Sequence, residues 1–541
     1  MRRLPIALAA VFAACSTSPT TAPPPPAAGL DCSDDSPDWP MFGQNVCNTR
    51  VQKNKTGLTT ATAPKLAVKW SYDAAGDVSA TPAVVAGNVY VPDWGGNLSR
   101  LDAASGKVVW SKSVGDLAGF VDAQGMPVSG LLSRTTPIVA GNAVIVGTQR
   151  NAPAIIADPR PNAFMIAVDK DTAKVLWKTP LHGGHPAAVI TGSPVLDGSR
   201  MYVGVSSLEE AFVLSGSYAC CSFRGSVAAL DVATGKILWQ TPTIDDAIFF
   251  GPDGKTPAGY AGAAVWSSTP VVDRKRGSLY VTTGNNYAVP KGVTTLEDGN
   301  HVDSVMALDL DTGAIRWSRA IYDPDVWTFT DMSGPDYDFG CGANLFTATI
   351  DGKSRDLVGA GQKSGLYTAL DADTGAIVWQ TKVGPGGHLG GIHWGTATDG
   401  ERVYVGVNDE DATPYTLAGK GKHAGEMVTA GSWSALDPAT GEILWQTPNP
   451  ASPTPTNGAS VNGPVTVTGG VLLGGSMDPA GHMIALDAAT GDVLWDFPSG
   501  GTVYGGAAVV DGVVYWGAGY SSSRLGFGTS AKKLYAFAPG G

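Results

Sequence analysis

Three short stretches place oxygen-bearing side chains at the ends of apolar, strand-like runs. VGVSSLEEAF carries Ser206, Ser207, Glu209 and Glu210; VTTGNNYAVP carries Asn285 and Asn286; GPDYDFGCGANLF carries Asp336, Asp338 and Asn344. Carboxylate, amide and carboxylate form an all-oxygen set suited to a hard cation, with calcium favoured over magnesium where contacts are numerous and irregular. Taken singly, each motif is a common surface turn, so their weight comes from recurring at equivalent places. Two cations stand just ahead of strand-like runs, Lys363 in GAGQKSGLYTALD and Arg134 in SRTTPIV. Each also has a plain reading as a solvated charge or a rim ion pair. Trp266 in AAVWSSTP and Trp394 in GGIHWGTA belong to no repeated phrase, and an aromatic side chain facing a ligand funnel can stack on a flat cofactor.

Those residues must be positioned by a repeat. LDAASGKVVW, VDKDTAKVLW, LDVATGKILW, LDLDTGAIRW, LDADTGAIVW, LDPATGEILW and LDAATGDVLW end at Trp110, Trp177, Trp239, Trp317, Trp379, Trp445 and Trp495. Apolar alternation runs into Asp, a tight turn follows with Gly where positive φ is tolerated, and alternation resumes to Trp, which reads as a β-hairpin. An eighth copy is split: APKLAVKW ending at Trp70 is its second half and KKLYAFAPGG its first. Between hairpins lie strand–turn–strand stretches such as SPVLDGSRMYVGVS, giving four strands per repeat. The expectation is an all-β, eight-bladed β-propeller of four-stranded antiparallel blades over residues 39–541, its ring closed by pairing of the N- and C-terminal strands. The eight tryptophans are expected to wedge between blades, with no part in chemistry. Copies lie up to 78 residues apart, from Trp239 to Trp317, longer than the usual propeller unit of about 40–50 residues. Loop insertions on one face therefore carry specificity, notably Leu117 to Leu132, Ser215 to Phe223 and Asp409 to Met427.

The start of the chain, MRRLPIALAAVFAAC, has two arginines and an apolar run too short for a permanent membrane span, but fitting an export signal. Residues 1–15 are read as a lipoprotein-type signal peptide with Cys15 as the lipidation site, against ordinary secretion, and Ser16 favours the outer membrane. Residues 16–38 read as a Pro-rich tether. Membrane attachment is thus expected through a lipid anchor only, facing the periplasm, or else a soluble periplasmic or secreted form. Formal charge is −12, or −14 once Arg2 and Arg3 leave with the signal, which argues against nucleic acid and a polybasic membrane patch. Setting Cys15 aside, Cys32, Cys47, Cys220, Cys221 and Cys341 allow two disulfides and one thiol. Cys32 with Cys47 would close a short loop, for about 3 kcal/mol by loop entropy. Cys220 and Cys221 are adjacent, so they are either a strained bonded pair or two free cysteines.

WPMFGQNVCNTR, DWGGNLSRLDAASG, SLEEAF, YACCSFRGSVAALD, TTGNNYAVP, GPDYDFG and GGIHWGTA together resemble the pyrroloquinoline quinone (PQQ) dependent alcohol dehydrogenases, and within them the polyvinyl alcohol dehydrogenase branch. The resemblance covers essentially the whole chain after the tether. It implies a calcium site of Glu210, Asn285 and Asp338, with Glu209 competing for the place of Glu210. It also makes Asp338 the base that takes the alcohol proton while hydride passes to the quinone. Lanthanide-using relatives carry a second Asp where this chain has Gly340, so calcium is implied. Lys363 matches a cation beside the quinone oxygens, Arg134 a partner of a cofactor carboxylate, Thr191 and Ser207 polar cofactor contacts, and Trp266 the ring stacked under the cofactor. Trp394 is a further aromatic candidate there, and the Cys220–Cys221 pair a cap. Methanol-oxidising relatives carry their adjacent-cysteine pair just before the arginine equated with Arg134, so this pair's position is not inherited from them. No Cys-x-x-Cys-His haem motif is present, which implies a separate electron acceptor such as a periplasmic cytochrome c. Two other readings stay open: a PQQ dehydrogenase for another alcohol or a sugar, and a noncatalytic propeller scaffold lipoprotein.

Overall fold

Each copy of the repeated phrase folds as the third and fourth strands of a four-stranded antiparallel sheet, and the described residues form eight such sheets. The structure, a computed structural model, describes all residues except 1–31, 33–35, 54–56, 123, 214–217, 219, 296, 322–325, 333, 452–459, 522–527 and 541. The expected signal with Cys15, nearly all of the tether, and part of the 215–223 loop lie outside the described residues. Among those residues no helix is long and apolar enough to cross a membrane. The first strands of blades 1 to 8 are Ala83–Val85, Ile138–Ala140, Val195–Asp197, Val271–Asp273, Asn344–Ile350, Ala397–Thr398, Thr466–Thr468 and Ala508–Val510. Blade 8 takes its fourth strand, Leu66–Asp73, from the other end of the chain, pairing it with Lys533–Pro539 so that Trp70 faces Ala536. The expected pairing of the split eighth copy is therefore observed.

The phrase has a physical cause at each position. In blade 3, Asp231 Oδ1 accepts from the backbone N–H and the hydroxyl of Thr234 at 2.9 and 2.6 Å, which fixes the turn and accounts for the Asp-x-x-Thr spacing. The glycine after it has no Cβ because the preceding blade's tryptophan lies there: at Gly441, φ +74°, an added Cβ would sit 2.4 Å from Trp379 Cε3. Pairing register slips by one residue just before each tryptophan, as between Ala229 and Leu230 opposite Trp239 and Ile237, and this bulge swings the ring toward the next blade. There the indole N–H donates to a backbone carbonyl: Trp70 to Ala103, Trp110 to Lys170, Trp177 to Val232, Trp239 to Leu310, Trp379 to Pro438, Trp445 to Ala488 and Trp495 to Leu66. Trp317 packs under Gly375 of blade 5 in the same way. The wedge role expected for these eight residues is what the structure shows.

Residues 39–52, where the sequence reading begins the propeller, form instead a strap that follows the inner first strands from blade 1 round to blade 8. It bonds the second residue of every blade's first strand. Trp39 pairs with Val84; the carbonyls of Pro40, Val46, Cys47, Thr49 and Arg50 accept from Val139, Val272, Leu345, Thr398 and Val467 at 2.9–3.0 Å. Met41 Sδ accepts from the Leu196 N–H, and Gln52 Nε2 donates to the Val509 carbonyl. The first strand of each blade is an edge strand with unpaired backbone groups, and the strap satisfies them where water is excluded. Cys32–Cys47 is a disulfide tying the strap to the segment before it. Cys341 is a buried free thiol.

Candidate active site

Strands alternate direction within a blade, so the loops after second strands and the links between blades emerge at one end of the ring. Glu210 and the Cys220–Cys221 pair follow the second strand of blade 3, Asn285 that of blade 4 and Lys363 that of blade 5. Arg134, Thr191, Trp266 and Trp394 lie on links between blades, as do Asp336 and Asp338 between blades 4 and 5.

Lys363 is the hub. Its buried Nζ lies 2.9 Å from Asp336 Oδ2 and 2.7 Å from Asp338 Oδ1. Burial alone would lower the pKa of this ammonium, but the two carboxylates outweigh it and hold the group above its ordinary range. The other oxygen of Asp338, Oδ2, accepts from Trp266 Nε1 at 2.7 Å. Gly284 makes this possible, since a Cβ there would lie 2.8 Å from both Asp338 Oδ2 and Trp266 Cδ1. Glu210 faces the same group. Burial, then repulsion from Asp336 and Asp338, push its carboxyl up to about 8, against the pull of Lys363 and of Asn285. Its Oε2 is buried with no hydrogen-bond partner.

Hydrogen bonding distinguishes Glu209 from Glu210. Glu209 Oε1 accepts from Tyr218 Oη at 2.6 Å and from the Ser222 N–H at 2.8 Å, and Oε2 accepts from the Phe223 N–H at 2.8 Å; His185 Nε2 stands 3.3 Å away. Burial would raise its pKa, but these donors hold it below the ordinary glutamate value. Glu209 is thus a clasp for the loop over 218–223, while its neighbour turns a free oxygen toward Asp338. Cys220 and Cys221 are bonded to each other, which removes the reading of two free thiols. Cys220 Sγ lies 3.7 Å from the Tyr287 carbonyl, and Tyr287 Oη donates to the Ser207 carbonyl. The Ser207 hydroxyl accepts from the Glu209 N–H, so it holds the clasp in place.

Arg134, Thr191 and Trp394 line an axial cavity together with Phe42, Thr81 and Tyr504. Arg134 stands 4.2 Å from the Trp394 ring centroid, 5.5 Å from that of Trp94 and 5.7 Å from that of Tyr520. Trp394 holds this place with φ +60°, a backbone state costing a bulky residue about 1–2 kcal/mol. Its ring meets Trp266 edge-on at 5.4 Å. Thr191 Oγ1 donates to the Trp266 carbonyl. The structure therefore brings together Glu210, Asn285, Asp338, Lys363 and Trp266 directly, and joins Arg134, Thr191 and Trp394 to them through Trp266. Ser207 and the cysteine pair connect through Tyr287.

Sequence reasoning passed over Trp94, Tyr520 and the pairing of Asp336 with Lys363. The signal was positional: Trp94, Lys363 and Tyr520 each stand two residues past a blade's second strand, and Asn285 and Glu210 three past it.

Residues 213–385 match the PQQ-type profile described as Glucose/ethanol/alcohol dehydrogenase, beta-propeller domain, and this span holds Trp266, Asn285, Asp338 and Lys363. A second profile, Outer membrane protein assembly factor BamB, matches residues 429–533, which hold none of the candidate site residues. Residues 213–385 are thus similar to a PQQ-type β-propeller domain.

Among individual proteins, it is 33% identical to a polyvinylalcohol dehydrogenase of Pseudomonas sp over 77% of this chain and 60% of that protein. It is 34% identical to a polyvinylalcohol dehydrogenase of Sphingopyxis sp. (strain 113P3) over 75% and 58%. It therefore spans about 60% of the length of these relatives. The solved quinohemoprotein alcohol dehydrogenase of Comamonas testosteroni superposes with a TM-score of 0.68 at 22% identity, covering 93% of this chain and 81% of that one, a likeness of fold.

Proposed function

We propose that this chain oxidises alcohols, secondary alcohols and polyvinyl alcohol among them, by hydride transfer to PQQ held with calcium on the loop face. The observation that carries this reading is Asp338, with one oxygen on Lys363 and the other on the Trp266 N–H, beside the partnerless Glu210 Oε2. A buried carboxylate oxygen without a donor is costly, and a cation supplies what it lacks. Among the described residues no three His, Cys, Asp or Glu side chains form a metal cage by themselves. Glu210, the Asn285 amide and Asp338 would hold calcium as a mixed set, which suits an ion that completes its shell from a cofactor. When bound, PQQ supplies the hydride acceptor and calcium the Lewis acid that polarises it.

The chain's own residues then do the following. Each Asp338 oxygen has a lone pair left beyond its present donor, so the carboxylate can take the proton of a substrate hydroxyl. Protonating Asp338 leaves Lys363 still paired with Asp336, so the buried ammonium keeps a counter-charge throughout. Trp266 fixes the direction of Asp338 and offers its ring face to a flat cofactor. The Glu209 clasp holds the loop bearing the cysteine pair in place.

Export, a lipid anchor at Cys15, a periplasm-facing position and transfer of electrons to a separate acceptor such as a cytochrome c belong to the same reading. It is tested by calcium-dependent dye reduction by PQQ-reconstituted protein, using polyvinyl alcohol, short secondary alcohols and methanol. No PQQ binding and no activity with any alcohol would favour a scaffold instead.

A further inference from the structure

Arg50 lies in the strap and is completely buried. Its guanidinium donates to the carbonyls of Val465 at 2.7 Å and Phe42 at 2.6 Å and to the hydroxyls of Thr466 at 2.9 Å and Thr81 at 3.4 Å, and it stacks on the Phe42 ring at 4.3 Å. Every acceptor is neutral, and among the described residues no carboxylate pairs with it. Burial presses its pKa down to about 9, so it is a cation at neutral pH. An uncharged donor side chain could tie the strap to such neutral acceptors without burying a charge. A buried cation without a counter-charge carries a desolvation penalty of several kcal/mol, which a merely structural tie does not require.

The charge is placed against the axial cavity. Phe42 and Thr81, which Arg50 bonds, and Pro464, next to the bonded carbonyl, all line it. Nothing but a glycine fits beside the guanidinium: a Cβ on Gly506 would lie 2.2 Å from Arg50 Nη2 and 2.9 Å from Thr81 Oγ1. Arg134 lines the same cavity, over Trp394. Lys363, by contrast, is already balanced by two aspartates.

We infer that Arg50 is a positioning residue for an anionic cofactor, its fixed charge against the axial cavity complementing carboxylates that Arg134 contacts. This rests on the proposal that PQQ, a planar tricarboxylate, binds at Asp338, Lys363 and Trp266, its carboxylates directed to the side where Arg134 and Trp394 line the cavity. The binding site would then take its missing counter-charge from the ligand, and the apo protein would carry the cost until loaded.

The test is a titration of calcium-supplemented apo-protein with PQQ, read by quenching of tryptophan fluorescence. Arg50→Gln is expected to bind PQQ at least about tenfold more weakly, about 1.4 kcal/mol, and Arg50→Lys within about threefold of the parent. Parental affinity in Arg50→Gln would overturn the inference. So would equal losses in both variants, which would mark the guanidinium shape and not the charge.

If Arg50→Gln fails to fold, Arg134→Gln decides. With Arg50 then the remaining unbalanced cation at the cavity, this variant is expected to prefer PQQ to its uncharged trimethyl ester by about tenfold or more. Equal affinity for the two overturns the role of Arg50. Absence of PQQ binding by the parent protein would instead sink the functional reading and leave nothing for Arg50 to position.

Discussion

Replacing Lys363 with Met removes the cation that Asp338 and Asp336 share at 2.7 and 2.9 Å, and the size of the effect can be worked out. Of two buried carboxylates that lose their shared cation, one takes up a proton. At pH 7 that costs about 4 kcal/mol, from the gap of about three units to an ordinary Asp and about 1.4 kcal/mol per unit. The figure agrees with the roughly 3–5 kcal/mol typical of breaking a buried pair on one side. In the variant the folded state holds a proton that the unfolded chain has released, so stability rises as pH falls, and the penalty should shrink to about 1.5 kcal/mol at pH 5. Asp336→Asn is the control, because it leaves Lys363 paired with Asp338, and it should cost about 1 kcal/mol or less at either pH. Urea unfolding of the apo-protein at pH 5 and pH 7 reads all three. A Lys363→Met penalty that does not change with pH, or that equals the control, would refute the charge balance drawn for this site.

Asp338→Asn should abolish alcohol-dependent dye reduction while PQQ still quenches tryptophan fluorescence; near-normal turnover would remove Asp338 as the base. Glu209→Gln should weaken the clasp by about 1.5–3 kcal/mol and speed proteolysis within the 218–223 loop, whereas Glu210→Gln should leave the loop protected and raise the calcium concentration that activity requires. His393 is buried, and burial, then Lys363, lower its pKa to about 4, so it contributes stability above pH 6.5 that is lost as pH falls toward 4. The loss is about 3 kcal/mol, and an acid denaturation profile of His393→Asn should be flatter by that amount. Gly441→Ala should destabilise by about 2–4 kcal/mol, since the left-handed backbone and the Trp379 ring both oppose a Cβ. Ala173, at φ +58° in the one phrase lacking this glycine, should gain about 1 kcal/mol as Gly in thermal denaturation.

The blades were legible in the sequence because the Asp, Gly and Trp of each phrase act on neighbours close along the chain or at a fixed place in the adjoining blade. The repeat therefore carries its own explanation. The strap has no such pattern: eight of its residues, unevenly spaced, each bond the first strand of a different blade, so WPMFGQNVCNTR reads as a motif without a visible task. The site was partly legible. Motifs located Glu210, Asn285, Asp338 and Lys363, but two adjacent glutamates cannot be told apart by spacing, and only the donors converging from Tyr218, Ser222 and Phe223 assign Glu209 to the loop. Trp94 was hidden because DWGGN also reads as an ordinary inter-strand turn, and its partner Tyr520 stands more than 400 residues away along the chain.

The strap also sets the order in which the molecule can become itself. Arg50 reaches a carbonyl 415 residues later, and Gln52 one 457 residues later. Residues made first wait for those made last, and the first strand of every blade keeps an open edge until then. Contacts of such separation are slow to form, because the intervening chain must be ordered before they stabilise anything. The same arrangement slows the reverse process: a blade cannot peel from the ring without breaking its bond to a segment that seven other blades still hold. Durability in this protein is therefore as much a matter of rates as of equilibrium, and shortening the strap should shorten the lifetime of the fold more than it lowers its stability.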